Sequence, residues 1–161
     1  MKTDIRKIVL SSMLSALCCV ATMIIKIPSP LKGYLNLGDA VVLLAGWILS
    51  PGYAFFAAGI GSALADVFSG YVLYAPATFV IKGIMAIIVC LINKKKTSLT
   101  SRIIGGVTAE IVMIMGYFLF EGFLYGFAPS LVNIPANAVQ GVAGIIIGIV
   151  LIKIFDKSKL Y

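Results

Sequence analysis

Ala75-Pro76-Ala77-Thr78-Phe79-Val80-Ile81-Lys82-Gly83-Ile84-Met85-Ala86-Ile87-Ile88-Val89-Cys90-Leu91-Ile92 runs for eighteen residues with a single charge, and Asn93-Lys94-Lys95-Lys96 then stops it. At 1.5 Å per residue such a run crosses most of a hydrocarbon core about 30 Å thick. Its neighbours repeat the pattern. Working outward, five more apolar runs are read at about Ile8–Ile25, Gly38–Ser50, Tyr53–Phe68, Ile103–Tyr125 and Ala136–Phe155. The second is short for a span unless it tilts or begins earlier. Pro28 and Pro30 block the first run from continuing, and Pro51-Gly52 turns the chain between the second and the third.

Apolar residues make up 61% of the 161, only 12% are charged, and the mean hydropathy is +1.09. A water-soluble domain has no interior large enough for that share, so the excess faces lipid or other protein. The fold class expected is an all-α integral membrane protein, a compact bundle of six transmembrane helices forming a single domain over residues 1–161, multi-pass in the cell membrane. The first run follows a basic N-terminus as a signal peptide does, but it is long enough to span and has no small-residue cleavage site, so it is read as retained.

The net charge of +7 sits at the ends of apolar runs, not among polar segments with aromatic platforms, so nucleic acid is not an expected partner. Lys2, Arg6, Lys7, Lys94, Lys95, Lys96, Arg102, Lys153, Lys157 and Lys159 fall on one side of a six-span chain, with Lys26 and Lys32 on the other. Ten against two puts both termini in the cytoplasm and the segment from Lys26 to Leu37 outside. Ala57, Gly61 and Ala65 on the third run, and Gly144 with Gly148 on the sixth, are small residues at four-residue spacing that allow close helix approach.

Several chemistries lack their residues. The chain has no histidine and no G-x-x-x-x-G-K-[ST] or G-x-S-x-G motif, and Gly59-Ile60-Gly61 lacks the third glycine of a dinucleotide fingerprint. Cys18, Cys19 and Cys90 lie within apolar runs without C-x-x-C spacing and read as buried inert thiols. No cofactor, no metal site and no catalytic residue is expected.

Ionisable groups at membrane depth cost about 2.5 to 3.5 kcal/mol each on insertion scales, so they ask for a partner or a role. Asp39, Asp66, Lys82 and Glu121, with the amides Asn133, Asn137 and Gln140, fall in the outer half of a six-span arrangement; Glu110 alone lies nearer the cytoplasm. Tyr74, Thr78 and Lys82 share one helical face, as do Tyr117, Glu121 and Tyr125, and Asn133, Asn137 and Gln140. Three such faces opening outward suit a small polar heterocycle. The plainer reading keeps Lys82 as a helix-pairing partner of Asp66 or Glu121, the amides as bridges between helices, and Asp39 as a helix N-cap at the membrane surface.

The segments Tyr34-Leu35-Asn36-Leu37-Gly38-Asp39-Ala40, Gly59-Ile60-Gly61-Ser62-Ala63-Leu64-Ala65-Asp66 and Tyr74-Ala75-Pro76-Ala77-Thr78-Phe79-Val80-Ile81-Lys82-Gly83 together resemble the S components of energy-coupling factor (ECF) transporters. The resemblance implies a substrate-binding subunit that captures a vitamin or vitamin precursor outside the cell. It would work with a coupling membrane subunit and two ATP-hydrolysing subunits, and the loop between the first two helices would close over the ligand. It places the pocket in the outer half, where the polar cluster read from spacing and charge also falls, so the expected ligand set is Asp39, Tyr74, Thr78, Lys82, Tyr117, Glu121, Asn133, Asn137 and Gln140, with Tyr34 and Asn36 in the closing loop. Ser12 with Ala16 is the best match to the family's small-x-x-x-small docking pattern on the first helix, with serine at one place where alanine is common. Hydroxymethylpyrimidine or a pyridoxine-like compound is the expected substrate, with riboflavin or pantothenate as alternatives. Two readings of another class are a stand-alone secondary transporter relaying protons or ions through Asp66, Lys82 and Glu121, and a membrane enzyme using carboxylates on a lipid-linked substrate. The orientation is tested by cysteine labelling in intact cells: a cysteine at position 32 reacts with an impermeant maleimide and one at position 95 does not, and the reverse pattern overturns it.

Overall fold

The structure is a computed structural model that describes residues 2–29, 33–94 and 98–158. Pro30, Lys32, Lys95, Lys96 and Lys159, and the side chain of Lys2, which entered the sequence reading, lie outside the described residues. Helix α1 spans Lys2–Ile24, and a two-stranded hairpin follows, β1 (Ile27–Pro28) antiparallel to β2 (Tyr34–Leu35), with Ile27 opposite Leu35 and Pro28 opposite Tyr34. The bundle continues as α2 (Gly38–Ile48), α3 (Pro51–Phe68), α4 (Ala75–Asn93), α5 (Leu99–Tyr125), a short α6 (Phe127–Ser130), a 3-10 turn (Leu131–Asn133) and α7 (Ile134–Ser158).

The breaks between helices have local causes. Leu49 and Ser50 are extended ahead of Pro51, which disfavours a helical residue before it and then serves as the first residue of α3. Gly70 after α3 and Gly126 after α5 hold positive φ angles of 85° and 95°, which a side-chain-bearing residue adopts only with strain. Ser98 caps α5 by accepting the Ser101 N–H at 3.1 Å, so α5 begins four residues before the apolar run at Ile103.

Contacts between helix ends sort the bundle into two poles. Lys26, just after α1, donates to Ser69, just after α3. At the other pole Arg102, near the start of α5, holds Asp156, near the end of α7, through two bonds of 2.7 and 3.2 Å. Cys90 of α4 reaches the carbonyl of Leu49 beyond α2, and Ser11 of α1 reaches that of Tyr53 at the start of α3. The helices therefore alternate in direction, and the first and last helices start and finish at the Arg102 pole.

Among the described residues, four stretches are long and apolar enough to cross a membrane: Ile5–Ile24, Ala75–Asn93, Leu99–Tyr125 and Phe127–Lys157. Helix α2 differs. Its 11 residues reach only about 16 Å, roughly half the hydrocarbon thickness, and nine of them, Gly38 to Gly46, are buried. It is the core of the bundle, packed on α1, α3, α4 and α7. Leu43 and Leu44 there, Met85 and Val89 of α4 and Met113 of α5 are fully enclosed. The outer faces are the reverse, with Met13, Ile111, Phe123, Val142 and Ile146 among many exposed apolar side chains. In water such a surface is untenable, and in lipid it is solvated.

The small residues read from the sequence do bring backbones together. A β-carbon at Gly61 would stand 2.4 Å from the Ser15 carbonyl oxygen of α1, and one at Gly144 would stand 2.8 Å from Cβ of Asp39. Gly61→Val therefore forces α1 from α3 and is expected to cost about 1 to 3 kcal/mol. It should lower the thermal unfolding temperature in detergent, while Gly52→Ala, where nothing lies within 4 Å, leaves it unchanged or slightly higher.

Candidate functional site

At the pole opposite Arg102 the short α2 begins deep in the bundle, and the space above its first turn is lined from every side. Asn36 precedes α2 and its side-chain oxygen accepts the Gly38 N–H at 2.9 Å, closing a local turn at the helix start. In that first turn, Asp39 is 0% exposed. Its side chain pairs with the Lys82 ammonium of α4 through one oxygen and accepts from Gln140 Nε2 of α7 at 2.6 Å through the other. Gln140 in turn accepts the Asn36 backbone N–H at 2.9 Å. Lys82 also lies 3.2 Å from Met113 Sδ and 5.6 Å from the centroid of the Tyr117 ring, so its charge is enclosed by an anion, a thioether and a π face.

This arrangement corrects two sequence readings. Asp39 is no surface N-cap, because α2 starts inside the bundle and buries it. Lys82 pairs with Asp39 and not with Asp66 or Glu121: α2, α3 and α5 all pack on α4, but the first turn of α2 puts Asp39 beside Lys82, while Asp66 is held by Tyr34 and Glu121 by Asn133 and by Tyr74, two turns before Lys82 on α4. Tyr34 of the hairpin donates its hydroxyl to Asp66 Oδ1 at 2.6 Å. Burial, and then the adjacent Asp66 carboxylate, push the Tyr34 phenol above its ordinary range, so it remains a donor. Glu121 Oε1 accepts from Asn133 Nδ2 at 2.8 Å and from the Tyr74 hydroxyl at 3.3 Å. Thr78 and Tyr117 join α4 to α5 through their hydroxyls, 3.0 Å apart.

These groups surround one narrow cavity of about 40 Å³. Ten of the eleven residues expected at a binding site line it: Tyr34, Asn36, Tyr74, Thr78, Lys82, Tyr117, Glu121, Asn133, Asn137 and Gln140. Asp39 lies just beneath, behind Lys82 and Gln140. Tyr125, on the same predicted face as Tyr117 and Glu121, does not line it.

Sequence reasoning missed Thr22, Ser29, Gly33, Ser62 and Tyr71, which line the cavity too, and left Asp66 out of the ligand set. Ser62 and Asp66 stand four apart on α3, a spacing that was there to be used. Thr22 ends α1, and Ser29, Gly33 and Tyr71 sit in connections, where no periodicity marks a face. Glu110 is buried one helix turn below Met113, wedged against Gly141 and Gly144, and does not line the cavity.

Cys18 and Cys90 are buried as expected, and Cys19 is half-buried. Ser12 and Ala16 lie in an open groove between α1 and α3 with Ser15, Cys19, Ile60 and Leu64. The Ser12 hydroxyl bonds back to the Ile8 carbonyl at 3.0 Å, so serine offers a small, internally satisfied surface where alanine would offer a methyl.

The Asp39–Lys82 pair makes a direct prediction. Lys82→Met leaves Asp39 buried without its counter-charge and is expected to destabilise the protein by about 3 to 5 kcal/mol. Adding Asp39→Asn should recover most of that, read as unfolding temperature in detergent. Calorimetric affinity then separates roles: binding restored in the double variant gives Lys82 a pairing role only, and binding still lost gives it a ligand contact.

Three comparisons bear on this geometry. The family described as "ECF-type riboflavin transporter, S component" matches residues 2–157. A protein of Pyrococcus woesei, described as an uncharacterized protein in the gap 3′ region, is 42% identical over 130 residues, covering 80% of this chain and 87% of its own length. A solved structure described as the structure and mechanism of the S component of a bacterial ECF transporter superposes with a TM-score of 0.79 at 28% identity, covering 96% of this chain and 97% of that one. The chain therefore belongs to the ECF-type riboflavin transporter S-component family, multi-pass helical membrane proteins that serve as the substrate-binding parts of a transporter.

Proposed function

We propose that this chain captures a small water-soluble vitamin or vitamin precursor outside the cell and presents it for ATP-driven import, with hydroxymethylpyrimidine or a pyridoxine-like compound as the substrate. Family membership makes it a vitamin-binding transport subunit and not an enzyme. The observation that carries the finer reading is the cavity itself: polar, walled by tyrosines, and covered by the hairpin through Tyr34 and Asn36. At about 40 Å³ it is far smaller than the roughly 300 Å³ at which ligand pockets begin. A ligand therefore enters as the hairpin lifts Tyr34 off Asp66, and a single ring needs less opening than three fused rings. Riboflavin is the second reading, favoured by the name of the family that matches.

The partners proposed are the coupling membrane subunit and two ATPase subunits of an ECF complex, with Ser12 and Ala16 in the docking surface. Small residues in an exposed groove between α1 and α3 let another helix approach closely. Affinity purification of the tagged chain from its own membranes is expected to bring down ATPase subunits, and mass spectrometry of the released small molecules to find the substrate. Uptake by the chain alone in liposomes without ATP would overturn the proposal in favour of a secondary transporter.

A further inference from the structure

The hydrogen-bonding groups around the cavity are mostly spent on one another. Lys82 is held by Asp39, and the amide nitrogen of Gln140 goes to the same carboxylate. Thr78 and Tyr117 share one hydrogen bond, and the Thr78 hydroxyl also neighbours the Asp66 carboxylate. The donors of Tyr34 and Tyr74 are used on carboxylates. Among the described residues that line the cavity, the buried side-chain atoms left without a partner are of one kind. Asp66 Oδ2 and Glu121 Oε2 are buried and have no hydrogen-bond partner among the described residues, in side chains of residues only 5% and 3% exposed. Both residues line the cavity.

We infer that the cavity selects a flat heterocycle carrying hydrogen-bond donors or a positive charge, and that Asp66 and Glu121 are the residues that select it. The inference rests on the proposed capture of a small vitamin at this site. A buried carboxylate oxygen without a donor is costly, and a ligand N–H that reaches it removes the cost at the moment of binding. A ligand carboxylate in the same place adds repulsion to desolvation, so the site discriminates against anions.

The aromatic wall supports the same choice. Tyr34 and Tyr71 lie with ring centroids 4.6 Å apart, and Tyr71 meets Tyr74 at 6.4 Å. Tyr34 ends this row at Asp66, and Tyr74 ends it at Glu121. The two open acceptors therefore stand at opposite ends of one row of rings. Neighbouring rings of that row are turned by 45° and 84°, so a ligand ring against it meets both faces and edges; a cation is favoured over a face, and the ligand's own edges lie toward the two carboxylates. Among the described residues that line the cavity, Lys82 is the only cation, and it is neutralised from below by Asp39.

Calorimetry on the purified chain in detergent tests this with ligands that share a ring and differ in charge: pyridoxamine, pyridoxine and 4-pyridoxate, alongside 4-amino-5-hydroxymethyl-2-methylpyrimidine. The tighter of the two amine ligands is expected to bind at least about a hundredfold more strongly than 4-pyridoxate. Asp66→Asn and Glu121→Gln, which keep the shape and the bonds to Tyr34, Tyr74 and Asn133 feasible, should each shrink that preference about tenfold. A preference unchanged in both variants, or 4-pyridoxate binding as tightly as pyridoxamine, overturns the inference. Riboflavin binding tightly with an affinity that neither variant moves also overturns it, while leaving vitamin capture standing. ATP-independent uptake by the chain alone removes the capture reading and the inference with it.

Discussion

Lys82 and Asp39 face each other between α4 and α2, both buried, and much of the outer half of the bundle is arranged around keeping them together. In a low-dielectric interior neither charge survives alone, and the pair survives only if its remaining valences are filled. Gln140 of α7 fills the second oxygen of Asp39, the Asn36 backbone fills Gln140, and Met113 and Tyr117 of α5 enclose the ammonium. One ion pair thus ties four helices to the loop that covers them. It also forms the floor of the cavity.

The pair can lie at depth because α2 is short. A helix of full membrane length would carry its first turn to the surface and Asp39 with it. With 11 residues, α2 starts inside the bundle, and the hairpin descends to meet it. That leaves a polar recess bounded by α3, α4, α5 and α7, and of these α3, α4 and α7 pass close to the buried α2. Glycines allow this: Gly144 leaves room for Asp39, and Gly148 for the Trp47 ring. The small residues of α7 therefore serve the core helix and, through it, the site.

The same enclosure explains Glu110. Both of its oxygens are buried without hydrogen-bond partners among the described residues, pressed on the glycines of α7 within the field of Asp39 and Lys82. It shares the inner face of α5 with Met113, Tyr117 and Glu121, so it continues a polar line below the pair toward the opposite pole. This polar line therefore reaches the cavity only at its Tyr117 and Glu121 end.

The sequence by itself determined the solvent, the number of helices and the residue types of the site. Hydropathy and the placement of lysines require only lipid and water to act on them, and four-residue spacing placed Tyr74, Thr78 and Lys82, or Tyr117 and Glu121, on common faces whatever those faces met. Tertiary structure alone decided which charge pairs with which. Asp39, Asp66 and Glu121 were equivalent as carboxylates near one lysine, and the choice fell to Asp39 because α2 starts at the depth of Lys82, a level along the bundle that no periodicity records. It also decided that Asp39 is buried, since the end of a helix read from sequence says nothing of its depth. Residues in connections, such as Gly33 and Tyr71, joined the cavity for the same reason: a loop has no repeat to mark a face, and only the packing around it fixes which way the chain turns.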